Sequence, residues 1–326
     1  MSKLDDTLKQ LEKDLGKGTV MTLESAPALD AEVVPTGSLL IDRALGVGGI
    51  PLNGGVVEIY GVPSAGKTTL TQSIIANAQK LGHTCAFIDC ENSLSPEYSR
   101  KLGIDTSKLL FSQPNSGESV FTIIKALAES GEVRLIVVDS VSAITPLAEQ
   151  DSFEGSQMGL QARLMSRGLR VISNPISKNN CTVIFINQLR EKIGVIYGNP
   201  EYTSGGKALP YYASLRIELR KGEAIKRGSE VIGNIVKVKV AKNKYAVPFK
   251  TCEVELIYGE GFQMESEILT LAVDMDIIQK SGSWYSFNGE KIGQGADNVK
   301  VWLKENPEIF DEITEKVKSN LNKKEG

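Results

Sequence analysis

The first hydrophobic pattern in the chain is helical. Leu4, Leu8, Leu11 and Leu15 recur at i, i+4, i+7 and i+11, which draws one apolar stripe on a helix with charged flanks. The stripe needs a cover, supplied by this chain's own core or by a neighbouring subunit. The following segment, GKGTVMTLESAPALDAEV, is loop-like. From about residue 30 to 190 the pattern changes. Continuously apolar runs VVEIY (56–60), TCAFIDC (84–90), RLIVVDS (134–140) and TVIFIN (182–187) alternate with helical stretches from about 67, near 96–102, from about 118 and around 157–178. Strands apolar at nearly every position and separated by helices predict a parallel sheet covered on both faces, whose ligands bind beyond the C-terminal strand ends. The pieces ASLRIEL (213–219), NIVKVKV (234–240) and CEVELIY (252–258) predict an antiparallel extension. From about 264, a helix, a short hairpin in IIQKSGSWYSFNGEKIG and helices flanking ENPE predict a small α/β domain, with Pro307 suited to a first helical turn. The expected fold is α/β in three parts: an N-terminal helix and linker at 1–29, a mostly parallel core with its extension at 30–263, and a small C-terminal α/β domain at 264–326.

One stretch resists this reading. IGVIYGNPEYTSGGKALP (193–210) leaves the TVIFIN strand and shows no period. Structureless loops longer than about a dozen residues are uncommon in compact domains and are usually functional or disordered.

Composition narrows the class. The chain has 326 residues, 41% apolar and 24% charged, with no run long enough to span a bilayer. A membrane protein is not expected. MSKLDDTLKQLEKDLG lacks the apolar segment of a secretory signal and the arginine richness of a transit peptide, so a cytoplasmic location is the default. Cys85, Cys90, Cys181 and Cys252 lack C-x-x-C spacing and have a single histidine, His83, as possible co-ligand; buried reduced thiols are expected rather than a disulfide framework or zinc site. His83 reads as a turn residue with no catalytic role. A net charge of −3 does not announce a nucleic-acid binder, so clusters of positive charge must be sought locally.

The chemistry lies in VVEIYGVPSAGKTTL. Gly61-x-x-x-x-Gly66-Lys67-Thr68 follows a strand and opens a helix, the setting in which glycines let the backbone wrap a phosphate chain, Lys67 bridges its outer phosphates and Thr68 offers a hydroxyl to Mg²⁺. The metal also wants a carboxylate at another strand end, and Asp139 closes LIVVD. A base for hydrolysis is available beside it: Asp89 and Glu91 both lie near the end of one strand, and spacing alone admits either, with Glu91 preferred. Gln188 ends the next strand, where its amide can hydrogen-bond a γ-phosphate, and the irregular stretch begins just beyond it.

These motifs, with TGSLLIDRALGVGGIP, FIDCENSL, VVDSVSAITP, MGLQARLMS, FINQLREKIGV, GGKAL, KNKYAVPFK, IYGEG and the WYS…GEKIGQG segment, resemble the bacterial-type RecA recombinases over nearly the whole chain. Generic P-loop ATPases share only the phosphate loop and the acidic strand end. The resemblance implies a RecA-type P-loop ATPase core and an ATP- and single-stranded-DNA-dependent recombinase that forms helical filaments, pairs homologous duplex DNA and exchanges strands. It implies ATP and Mg²⁺ as cofactors, with Gly61, Ser64, Ala65, Gly66, Lys67, Thr68, Thr69 and Tyr98 around the nucleotide and Thr68 and Asp139 on the metal. It selects Glu91 over Asp89 as base, makes Gln188 the γ-phosphate sensor, and sends Lys242 and Lys244 across a subunit boundary to a neighbour's ATP. Two DNA loops fall at about 151–159 and 189–206, with Met158 and Ile193 entering gaps between bases and Arg163, Arg170, Gly205, Gly206 and Lys207 on the backbone. Implied partners are single-stranded DNA, homologous duplex, further copies of the chain and a repressor with self-cleaving activity, with no membrane. The chain departs from the family at Ser95, where an aspartate is common, at VPSA in the phosphate loop, at Ala296 in place of a duplex-contacting lysine (Lys280 matches another), and in its non-acidic tail. The rival readings are a ring-shaped DNA motor with the same core and a filament regulator that uses ATP only as a switch.

Overall fold

The structure is a computed structural model that describes residues 3–16, 19–22, 32–150, 159–191 and 200–325. It divides into two compact bodies, Met1–Ala31 and Glu32–Gly326. In the first, Lys3–Leu15 is a helix with Asp5 and Asp6 in its first turn and Lys13 in its last, an order that suits the helix dipole. None of its residues is buried, and Leu4 and Leu15 stand 64% and 67% exposed. The predicted stripe is therefore present, with its middle residues Leu8 and Leu11 half-buried and its two ends exposed.

The second body is built on one sheet. From one edge to the other its strands run Gly261–Phe262, Thr251–Ile257, Glu230–Asn243, Leu215–Arg227, Val56–Gly61, Thr182–Glu191, Val133–Asp139, Thr84–Asp89 and Leu110–Ser112, with Glu201–Thr203 paired to Thr182–Glu191 off this path. The continuous apolar runs are explained by parity. Val57, Ile59, Phe87, Leu135, Val137, Ile184 and Ile186 face one core with Leu70, Ile74 and Ile75 of the Lys67–Lys80 helix. Their neighbours Val56, Ile88, Ile136, Val138, Val183 and Phe185 face a second core with Phe121 and Ile124 of the Gly117–Glu129 helix and Met165, Leu169 and Ile172 of the Leu160–Lys178 helix. Both faces of each strand are buried, so alternation disappears.

The expected antiparallel extension needs one correction. Leu215–Arg227 lies parallel to the Val56–Gly61 strand, with Val57 opposite Leu215 and Gly61 opposite Leu219, and antiparallel to Glu230–Asn243. A connection containing the Ala208–Tyr212 helix returns it in the parallel sense, whereas only Gly228 and Ser229 separate it from the next strand, the length of a tight hairpin turn. Both strands are also longer than their apolar cores announce, because KGEAIKRGSE is polar and mostly exposed.

From Met264 the chain forms a helix, three antiparallel strands at Gln279–Ser281, Trp284–Phe287 and Glu290–Gln294, and helices Ala296–Glu305 and Pro307–Glu325 around their own apolar cluster. The expected hairpin is thus a three-stranded sheet. Glu267 Oε2 accepts the Leu40 N–H at 3.1 Å, joining this part to the Leu39–Leu45 helix, where Asp42 is also buried. Burial pushes the Asp42 and Glu267 carboxyls up to about 7. Folding then takes up protons between the ordinary carboxylate range and pH 7, so stability is greatest at the acid end of that window and falls as pH rises through about 7. Glu267→Gln should flatten this dependence: its urea midpoint should change less between pH 5.5 and pH 8 than the parent's, and an equal change would refute the assignment to Glu267.

All four cysteines carry free thiols, which burial pushes up to about 12. Among the described residues no helix is long and apolar enough to cross a membrane.

Candidate nucleotide site and the DNA-facing turn

Sheet register assembles the site. Gly61 is paired with Gln188, and Asp89 with Asp139, so four strands of one parallel sheet end in a row, where open α/β sheets hold their ligands. Gly61 tolerates no side chain: a Cβ there would sit 2.0 Å from the Leu219 carbonyl oxygen. Beyond it the loop passes through Ser64, at φ 58°, and buried Ala65 to Gly66, at φ 87°, which starts the Lys67–Lys80 helix with no side-chain cap. The first-turn N–H groups of that helix are left for a ligand.

Lys67 Nζ donates to the carbonyls of Gly61 at 3.2 Å and Val62 at 2.8 Å. Burial lowers its pKa, and Asp139 and Glu91 oppose that shift. Thr68 Oγ1 donates to Asp139 Oδ2 at 2.7 Å. Burial pushes Asp139 up to about 6, with the Thr68 hydrogen bond pulling the other way and Glu91 and Asp89 adding to the rise. A buried ammonium, uncapped backbone donors, and a hydroxyl and carboxylate in contact form the donor set that a Mg²⁺-bound triphosphate requires, so the residues fit both cofactors. Thr69 Oγ1 and the Tyr98 hydroxyl lie 3.2 Å apart. Ser95 caps the helix that carries Tyr98, its Oγ accepting the Tyr98 N–H at 3.3 Å; an aspartate could make the same cap.

Three further residues line a cavity of about 450 Å³ at the phosphate loop: Lys221, Leu256 and Tyr258. The sequence reading did not single them out. Lys221 is placed there because its strand is the parallel neighbour of the phosphate-loop strand, which periodicity does not reveal; Tyr258 follows the Thr251–Ile257 strand in the quoted IYGEG.

Asp89 and Glu91 occupy different settings. Asp89 is buried and accepts N–H groups from Glu91 at 3.2 Å, Ser93 at 3.0 Å and Leu94 at 3.2 Å, which fixes the turn after its strand. Glu91 is exposed, and its Oε1 accepts Gln188 Nε2 at 3.0 Å and the Ser140 hydroxyl.

The strand carrying Gln188 continues to Glu191 and pairs antiparallel with Glu201–Thr203, Leu189 opposite Thr203. The stretch without period is therefore partly a ladder, hidden in sequence because its second strand is three residues long. Residues 192–199 and 151–158, with Ile193 and Met158, lie outside the described residues. Gly205 and Gly206, at φ 81° and 79°, turn the chain against the Leu160–Lys178 helix, where a Cβ on Gly206 would stand 2.8 Å from Ala162 Cβ. Lys207 follows, exposed. The helix displays Arg163 and Arg170 on its exposed face, with Arg167 between them. Arg167 was missed in sequence, although the i, i+4, i+7 spacing signals a single basic stripe.

Lys242 and Lys244 do not join the phosphate loop within one chain. Lys242 pairs with Arg216, near the start of the strand whose Leu219 meets Gly61, and its Nζ donates to the carbonyls of Pro210 at 2.9 Å and Tyr211 at 3.0 Å. Lys244 is exposed beside it.

Residues 2–263 match the RecA N-terminal domain family and residues 266–322 the RecA C-terminal domain family. The RecA protein of Haemophilus ducreyi is 53% identical over 315 residues, covering 96% of this chain and 84% of its own length. That of Delftia acidovorans is 53% identical over 320 residues (98% and 87%), and that of Methylococcus capsulatus 54% over 308 residues (94% and 88%). With both domain families matched in order, and relatives above half identity along nearly its whole length, the chain belongs to the RecA family.

Proposed function

We propose that the protein hydrolyses ATP in a helical filament on single-stranded DNA, pairs that strand with homologous duplex and exchanges strands. The observation that carries this reading is the continuous path from the nucleotide site to the basic surface: Gln188, in contact with Glu91, lies on the strand whose partner leads into Gly205, Gly206 and Lys207. Lys67 and the first-turn N–H groups hold the phosphates, and Thr68 and Asp139 hold Mg²⁺, which when bound neutralises developing phosphate charge. Glu91 takes the proton of the attacking water, and Gln188, hydrogen-bonded to Glu91, reports the γ-phosphate. Tyr98 packs near the adenine. Lys242 and Lys244 act on a neighbour's nucleotide, a role favoured by their distance from their own phosphate loop, so turnover requires a filament. The Leu4–Leu15 stripe of the segment 1–29, exposed at both ends, docks on an adjacent subunit, the core at 30–263 carries both sites, and Lys280 in 264–326 contacts duplex.

Arg163, Arg167, Arg170 and Lys207 meet phosphates without reading sequence, and Met158 and Ile193 separate groups of bases. A repressor with self-cleaving activity is a further partner of the filament. Pairing is the test. The protein with ATP, Mg²⁺, single strands and homologous duplex should form joint molecules; unwinding of a forked duplex without joint molecules would favour the ring motor.

A further inference from the structure

We propose that Asn187 is the positioning residue that ties the γ-phosphate sensor, the phosphate-loop strand and the DNA-facing turn into one unit, so that nucleotide and DNA each set the geometry of the other's site. The inference rests on the recombinase reading above, in which single-stranded DNA stimulates ATP turnover.

Asn187 is fully buried and immediately precedes Gln188. Its amide works in three directions. Oδ1 accepts the Gln188 N–H at 2.9 Å, while Nδ2 donates to Glu58 Oε1 at 2.9 Å and to the Ser204 carbonyl at 3.0 Å. Both N–H donors and one lone pair are used, the near-complete capacity of an amide. Glu58 lies three residues before Gly61 on the phosphate-loop strand and is itself fully buried. Its Oε2 accepts Arg216 Nε at 2.5 Å, and that guanidinium lies 4.6 Å from the Tyr60 ring centre, so the acceptor that Asn187 meets is fixed. At the other end, Ser204 is the residue before Gly205. One side chain therefore bridges the strand that ends in the phosphate loop, the backbone of the sensor and the start of the Gly205–Lys207 turn. Packed polar junctions of this kind carry coupling when the elements they join have two arrangements.

Only asparagine meets all three demands at this reach. Alanine would leave Glu58 Oε1 and the Ser204 carbonyl buried without Asn187's donors, and aspartate would set a second carboxylate beside Glu58 with no donor for either acceptor. A single substitution thus confuses coupling with folding. The double variant E58Q/N187D separates them. The amide introduced on the phosphate-loop strand can donate to the carboxylate introduced beside the sensor, which keeps an amide–carboxylate contact and the same net charge, while the new carboxylate has no N–H to donate to the Ser204 carbonyl.

In steady-state ATP turnover with and without single-stranded DNA, E58Q/N187D is expected to keep the parental nucleotide KM and a thermal midpoint within a few degrees of the parent. Its stimulation by DNA should fall by about tenfold. Parental stimulation in the double variant would overturn the coupling role, and so would a midpoint so depressed that the lost stimulation follows unfolding. A parent that shows no DNA stimulation would instead remove the recombinase reading on which the inference stands.

Discussion

Lys67→Ala is expected to reduce ATP turnover by about 10² to 10³-fold or more, the loss typical of removing one preorganised donor from developing charge. The fold should tolerate it. Lys67 Nζ is bonded to the Gly61 and Val62 carbonyls of its own loop, and its lowered pKa shows that burial of the ammonium opposes its charge. Alanine removes that cost and is a good residue for the first turn of a helix. The expected pair of results is a thermal midpoint at or above the parent's with turnover near background. Unchanged DNA-dependent hydrolysis in the variant would overturn the placement of the nucleotide at Gly61–Thr69.

Glu91→Gln should cost about 10² to 10⁴-fold in kcat with little change in nucleotide KM, because an amide keeps the size of the side chain and cannot take a proton from water. Asp89→Asn makes the informative contrast. The Asp89 carboxylate accepts three backbone N–H groups with its two oxygens, and asparagine offers one acceptor oxygen, so that variant should lose about 1–3 kcal/mol of stability. Its kcat should suffer less than that of Glu91→Gln once saturated with nucleotide. Stopped assays at saturating ATP, beside urea unfolding of both variants, separate the effects. Turnover by Glu91→Gln at the parental rate would remove Glu91 as base.

The two carboxylates also show where sequence suffices and where it stops. Spacing placed both near the end of the TCAFIDC strand and could not choose between them; resemblance chose Glu91. The structure supplies the physical difference, since Asp89 is turned inward onto its own loop and Glu91 outward to Gln188. The parallel sheet was legible because burial on both faces of Val56–Gly61 and Val133–Asp139 leaves runs apolar at nearly every position, with Glu58 the buried exception. The direction of Leu215–Arg227 was not legible, because pairing sense depends on the connection and leaves the strand's own residues unchanged. For the same reason Lys221 was invisible as a lining residue: its position follows from Leu219 lying opposite Gly61. The Asn187 junction was hidden differently. An asparagine at the end of an apolar strand reads as a polar terminus until Glu58 and Ser204, 129 and 17 residues away in sequence, are found on its amide.

The polar pairing of Glu201 with Arg220 belongs to the same lesson. Arg220 also pairs with Glu218 on its own strand, so the short Glu201–Thr203 strand is held to the sheet by charges that no local pattern joins. In a stretch with no period, long-range partners decide the structure, and periodicity is blind to them.

The central claim is that nucleotide turnover at the ends of the parallel strands serves homologous pairing on the Arg163–Lys207 surface. Its most direct test is the yield of joint molecules from single-stranded circles and linear duplex, with ATP and Mg²⁺, for homologous and heterologous partners in parallel. Joint molecules with the homologous duplex, and none with the heterologous duplex or with Lys67→Ala, are the predicted result. Equal yields for both partners, or strand separation without pairing, would contradict it.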